Sequence, residues 1–172
     1  MNGANTTNQT GVYGTQGVPD AANLPGARCD SISWKDSAGN MWLFGGVGYA
    51  STSNAVFLND LWRYNPGTNI WTWMSNSKAN QRGTYGTKGV PAAANVPGAR
   101  NRSISWTDNS GNLWLFGGRG YDSTGYIGEL NDLWRYNPGT KMWTWVSGGN
   151  IADQAGYYGT KGVADAANMP GA

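Results

Sequence analysis

The chain has 172 residues and a net charge of +2 from twelve basic and ten acidic side chains, so it offers no basic field for nucleic acid and no polybasic segment for a membrane surface. Twenty-seven glycines, ten tryptophans and nine tyrosines favour β-strands with many turns and leave little material for amphipathic helices. A single cysteine, Cys29, excludes an intrachain disulfide and a thiolate metal cluster.

The first residues, Met1 to Asn5, lack the charged start and apolar run of a signal peptide, and no apolar stretch reaches membrane-spanning length. Residues 1–27 are polar and rich in glycine. They hold Tyr13-Gly14-Thr15-Gln16-Gly17-Val18 and Ala21-Ala22-Asn23-Leu24-Pro25-Gly26-Ala27. The same segment returns as Tyr85 to Ala99 and as Tyr158 to Ala172, which gives three copies of a connector. Glycine and proline on both sides of Ala21-Ala22-Asn23 predict an ordered loop.

Between the connectors lie two copies of a longer unit, displaced by 72 positions (114 − 42 for Trp42 and Trp114). Ser31 to Trp34 alternates polar and apolar, the period of a strand. Asp36 to Asn40 has hairpin-loop chemistry. Met41-Trp42-Leu43-Phe44 is a continuous apolar run, which fits a strand covered on both faces. Gly45-Gly46 is expected to close that strand, by a sharp turn or under a close backbone approach. A polar loop from Val47 to Leu58 then leads to Leu61-Trp62-Arg63-Tyr64. The turn Asn65-Pro66-Gly67-Thr68 leads to Ile70 through Met74. The second unit repeats this as Ser103–Trp106, Leu113–Phe116, Leu133–Tyr136 and Met142–Val146.

Four short antiparallel strands per unit, with aromatics at matching places, are the pattern of a β-propeller blade. The apolar run, the double glycine and the spaced tyrosine and tryptophan resemble the kelch repeat. They are Met41 to Gly46, Tyr64 and Trp71 in the first unit, and Leu113 to Gly118, Tyr136 and Trp143 in the second. The resemblance is nearest to tryptophan-rich bacterial kelch arrays and implies an all-β fold of two four-stranded blades joined by long connectors. Residues 1–27 would be a partial repeat, 28–99 blade 1 with its connector and 100–172 blade 2. The unit departs from the usual kelch length of about 50 residues because of the connector. Export from the cell follows only from the resemblance and the low charge.

At strand positions, Trp42, Phe44, Trp62, Tyr64, Trp71, Trp73, Trp114, Phe116, Trp134, Tyr136, Trp143 and Trp145 read as blade-to-blade packing. Two blades leave two outer faces bare, and each exposed aromatic or leucine costs roughly 1.5–3 kcal/mol relative to burial. The chain is therefore expected not to stand as a lone folded monomer. Three arrangements would cover the bare faces: copies closed head to tail, most simply three chains giving six blades; a longer array to which the chain belongs; or a contact that runs on as a filament.

Alternating strands send loops 1–2 and 3–4 to one rim, and loops 2–3 and the connectors to the other. Long loops on a rigid scaffold are where binding residues gather. The 2–3 loops differ most between the repeats and place Tyr49, Arg119, Tyr121, Asp122, Tyr126 and Glu129 on that rim. These are the expected contacts to a protein or glycan ligand, since aromatic faces beside amides and charges suit either. The connector tyrosines read as anchors onto the blade. Arg63 and Arg135, three positions after Asp60 and Asp132, and Arg28 and Arg100, which open the blades, read as structural ion pairs or carbonyl caps rather than an anion site.

Kelch propellers include the galactose oxidase type, whose copper centre uses histidines, and this chain has no histidine. Serine–histidine chemistry and the usual catalytic zinc sites are excluded for the same reason. No metal and no cofactor is expected. The residues thus predict a non-catalytic binding or scaffold module, or a purely structural unit whose partner is itself.

Overall fold

The computed structural model describes Gly3, residues 5–75 and residues 79–172, which form two antiparallel sheets and no helix. The first sheet holds β1 (Arg28–Cys29), β2 (Ile32–Lys35), β3 (Met41–Tyr49), β4 (Ala55–Asn65) and β5 (Ile70–Ser75). The second holds β6 (Arg100–Asn101), β7 (Ile104–Thr107), β8 (Leu113–Tyr121), β9 (Ile127–Asn137) and β10 (Met142–Ser147). β1 and β2 pair with the same edge of β3, as β6 and β7 do with β8. Each short pair is one inner strand interrupted by two residues, so each sheet is a four-row blade.

The double glycines do not end the strand as expected. β3 runs through Gly45 and Gly46 to Tyr49, with a register shift between Phe44 and Gly46. Both glycines adopt left-handed φ, +65° and +95°, and a Cβ on Gly46 would lie 2.5 Å from the Cys29 carbonyl. The pair is a bulge that bends the strand across the short inner segment. The chain beyond it pairs again, Val47 with Phe57 and Tyr49 with Ala55. The long 2–3 loop therefore shrinks to the hairpin tip between β3 and β4.

The blades stand side by side with their inner strands adjacent. Ser105 Oγ donates to Ser33 O at 3.2 Å and Thr107 Oγ1 to Lys35 O at 3.3 Å. Between the blades lies one core cluster that includes Trp34, Trp42 and Phe44 from the first and Leu115, Tyr136 and Trp143 from the second. The same residue types divide by face. Trp42 and Phe44 are buried while their counterparts Trp114 and Phe116 are half-buried. Conversely, Tyr136 and Trp143 are buried while Tyr64 and Trp71 are half-buried. Each blade thus carries two different apolar faces, and the junction joins one of each kind. Trp62, Trp73, Trp134 and Trp145 sit under the connectors.

Each connector is a strap, a narrow hairpin closed by the bridges Val12 with Leu24, Thr84 with Val96 and Tyr157 with Met169. The first strap bonds to the first blade, Gly17 N–H to Trp73 O at 2.7 Å, and the second to the second blade, Gly89 N–H to Trp145 O at 2.7 Å. By contact, the first and second straps each belong to the blade that follows them. Tyr13 packs on Trp62 and Trp73, with ring centroids 4.8 and 5.4 Å away, and Tyr85 on Trp134 and Trp145 at 4.9 and 5.1 Å. The second strap thereby fills the outer wedge between the blades, where sheets that share inner strands splay apart.

Candidate functional site

The arginines that open the blades are structural. Arg28 and Arg100 each grip an aspartate with two parallel bonds, to Asp60 and Asp132, and also bond a glycine carbonyl across the bulge. Burial pushes both guanidinium groups toward the neutral form, and the aspartate bonds outweigh it, leaving their pKa raised. The strap tyrosines complete these networks through their hydroxyls, and burial beside the aspartates raises their pKa as well. Groups so fully engaged hold the blade together.

At the opposite rim, Asp36 and Asp108 each fold their own turn and accept an indole N–H, from Trp42 and Trp114. Asp108 is held at about 2, chiefly by the Asn112 amide, with a burial penalty working against it and Trp114 assisting. A groove of about 370 Å³ lies between these turns, and its carboxylates are already committed.

The expected ligand residues separate in the structure. Asp122 is buried and serves its own loop, accepting from Thr124 N and Oγ1, Tyr126 N and Ala152 N. Burial raises its pKa, and these bonds outweigh that to lower it. Tyr121 lies edge-on against Phe57 with centroids 6.0 Å apart, inside the blade junction. Tyr49 ends β3, half-buried, its N–H bonded to Ala27 O. Tyr126 stands exposed at the hairpin tip. Arg119 and Glu129 are exposed register partners across β8 and β9, and Arg119 is also opposite Asn101 across β6 and β8.

That row of Asn101, Arg119 and Glu129 leads to a pair the sequence reading missed. Asp30 and Arg102 occupy equivalent places in the two blades (102 − 30 = 72), where the inner strand is interrupted. Both adopt left-handed backbone, φ 55° and 58°, which aspartate tolerates better than arginine and which costs of order 1–3 kcal/mol. Arg102 Nε donates to Asp30 Oδ2 at 3.2 Å, and Asn101 Nδ2 reaches the same oxygen at 3.3 Å. Both side chains are open to solvent, Arg102 at 71% and Asp30 at 40%. Among the described residues, Asp30 Oδ1 and both Nη groups of Arg102 accept or donate no hydrogen bond. The signal for them was present in the repeat: positions 29/101 and 30/102 differ, Cys-Asp against Asn-Arg, in otherwise matching surroundings.

An oriented carboxylate with one free oxygen beside an open guanidinium, on inner strands that face the propeller axis, can take up a proton and hold an anion. Among the described residues no cluster of three or more metal-ligating side chains occurs.

No protein-family model matches the chain. It is 29% identical over 158 residues to the N-acetylneuraminate epimerase of Escherichia coli (strain K12), covering 83% of this chain and 40% of that protein. The enzyme of the same name from Shigella sonnei (strain Ss046) is 27% identical over the same shares. The solved structure of YjhT aligns with a TM-score of 0.51 at 19% identity, over 77% of this chain and 42% of that one. That likeness agrees with the two antiparallel sheets and makes the fold that of β-propeller blades. The chain spans about 40% of the length of the curated relatives it matches. The relatives' names overturn the expectation of a non-catalytic module: chains similar over most of this one are named as enzymes. The absence of histidine excluded only histidine chemistry, and epimerisation does not require it.

Proposed function

We propose that these two blades are kelch-type units of a propeller that acts on an acidic sugar, by epimerisation, at the axial end near the 2–3 loops. The Asp30–Arg102 pair carries this reading, and the names of the relatives support it. N-acetylneuraminate is a carboxylate, and the open Nη edge of Arg102 matches a carboxylate bidentately. Epimerisation inverts one carbon with no net change in atoms or electrons, so it needs a group that accepts a proton and returns it. Asp30 has that group in Oδ1, oriented by the two donors on Oδ2. Arg119, Glu129 and Tyr126 border the mouth and contact the remainder of the sugar.

The test is proton NMR on N-acetylneuraminate with and without the chain. Saturation transfer to the sugar, lost in Arg102→Ala, and faster appearance of its second epimer, slowed at least tenfold in Asp30→Asn, are expected. Saturation transfer and epimer formation that stay unchanged in both variants would remove the pair from the site.

A further inference from the structure

The third strap is built like the other two and touches no blade through its working face. Tyr13 and Tyr85 are 4% and 5% exposed, and their counterpart Tyr158 is 75% exposed. Tyr13 and Tyr85 donate to Asp60 and Asp132 at 2.6 Å, whereas the Tyr158 hydroxyl meets no partner among the described residues. Asn23 Nδ2 bonds Val18 O and Trp71 O, and Asn95 Nδ2 bonds Val90 O and Trp143 O. Asn168 Nδ2 makes, among the described residues, only the first bond of that pair, to Val163 O. The strap is nevertheless folded and correctly placed. Asn131 Nδ2 tethers Pro170 O at 2.8 Å, as Asn59 Nδ2 tethers Pro97 O at 3.3 Å where the second strap crosses to the second blade.

Beside this strap lies the open face of blade 2. A cleft of about 260 Å³ is bounded by Trp106, Phe116, Leu133, Met169 and Pro170. In blade 1 the equivalent face is closed by blade 2, and Ile32 is 8% exposed against 61% for Ile104. A Cβ on Gly45 would strike Arg100 O of the next blade at 2.7 Å, while one on Gly117 meets only its own blade. Strap and face together are therefore half of a blade junction.

We infer that residues 154–172 dock on blade 1 of a second copy of this chain, displacing that copy's residues 9–27. Blade 1 presents the matching half: its Tyr64 and Trp71 face is the kind that blade 2 buries at the internal junction, and Asp60 stands where Asp132 receives Tyr85. Strap 3 also fits that seat better than the resident strap. Lys88 lies 4.4 Å over the Trp145 ring and donates to Gly148 O at 3.0 Å. Strap 3 carries Lys161 at this place, and strap 1 carries Gln16, which reaches only Met74 O at 3.3 Å. Exchange therefore brings to Trp73 an ammonium that Gln16 lacks. Replacing one copy of a repeated strap by another requires no new fold. Repeated at every junction, it joins chains head to tail.

Light scattering on the full chain between about 1 and 200 µM, with hydrogen exchange on the same samples, tests this without any substrate, so its outcome is separate from that of the sugar chemistry. The mass is expected to rise to a whole multiple of one chain. In the assembled form the Gly17 and Leu24 amides, both bonded in the single chain, lose protection as strap 1 is released. Tyr158→Ala, at a site exposed in the single chain, leaves that chain folded and weakens association roughly 30-fold, the effect of a tyrosine hot spot. A single-chain mass at every concentration overturns the inference. So does association of Tyr158→Ala at the unchanged strength, or an assembled form that keeps residues 9–27 protected.

Discussion

Arg100 and Asp132 meet through two parallel bonds, Nη1 to Oδ1 at 2.6 Å and Nη2 to Oδ2 at 2.7 Å, with both side chains out of water. Oδ2 also accepts from Tyr85 Oη at 2.6 Å and from Trp134 Nε1 at 2.8 Å. One carboxylate thus joins the inner strand, the third strand and the strap. Asp132→Asn leaves a buried guanidinium without its counter-charge. It is expected to cost about 3–5 kcal/mol in urea unfolding, with Asp60→Asn costing less because Arg28 is slightly more exposed.

The strap hydroxyls separate a buried role from an exposed one. Tyr85→Phe removes one donor from a buried carboxylate and should lower stability by about 1–3 kcal/mol. Tyr158→Phe should leave single-chain stability within about 0.5 kcal/mol of wild type, because nothing among the described residues of its own chain receives the hydroxyl. Parallel denaturation curves at low micromolar concentration read both.

Tyr136 offers the opposite sign. Its hydroxyl is buried with no partner among the described residues, and burial pushes its pKa up to about 12, with Arg63 acting to lower it. In blade 1 the equivalent Tyr64 donates to Asn69 at 2.7 Å, and the second blade has Lys141 at that turn position. Tyr136→Phe is expected to be neutral or to raise the unfolding midpoint by the equivalent of about 1 kcal/mol. A clear loss of stability would show that the hydroxyl is satisfied after all.

The bulge tolerates no side chain. Gly118 has φ +90°, and a Cβ there would lie 2.4 Å from Asn101 O and 2.5 Å from Ser103 Oγ. Gly118→Ala should destabilise by at least about 2 kcal/mol through strain and clash combined. Gly111→Ala, at φ +79° with nothing within 4 Å, should cost about 1 kcal/mol. Comparing the two thermal midpoints separates crowding from backbone preference.

Acid acts on the turns. Asp108 stands at about 2 in the folded chain against 3.8 ordinarily, and Asp36 is lowered as well. A carboxyl whose folded pKa is depressed adds stability that is full above its unfolded value and is lost as pH falls through the folded one. The unfolding midpoint should therefore fall between about pH 4 and pH 2, and Asp108→Asn should flatten part of that fall. Calorimetry across that range reads the slope.

Much of the architecture was legible because a repeat states each strand twice, and alternation with turn chemistry fixed strand order and rim. Strand length was not legible. Gly45-Gly46 read as a terminus, since local sequence cannot show that the inner segment at Cys29 waits to pair beyond it. The exposed pair Asp30–Arg102 lies outside the long loops, at a strand start where the repeat also diverges. Asp122, expected at the rim for its charge and position, turns inward instead, where Thr124, Tyr126 and Ala152 donate to its carboxylate. The expectation of a non-catalytic module equated absent histidine with absent chemistry, and the enzyme names of the relatives run against it.

The strap's position in the outer wedge has a geometric consequence. Tyr85 shares one core cluster with Met74 of the first sheet and Trp134 of the second, so the strap serves as mortar for both sheets and not as a cover over one. Cutting the chain within this strap would therefore loosen two sheets at once.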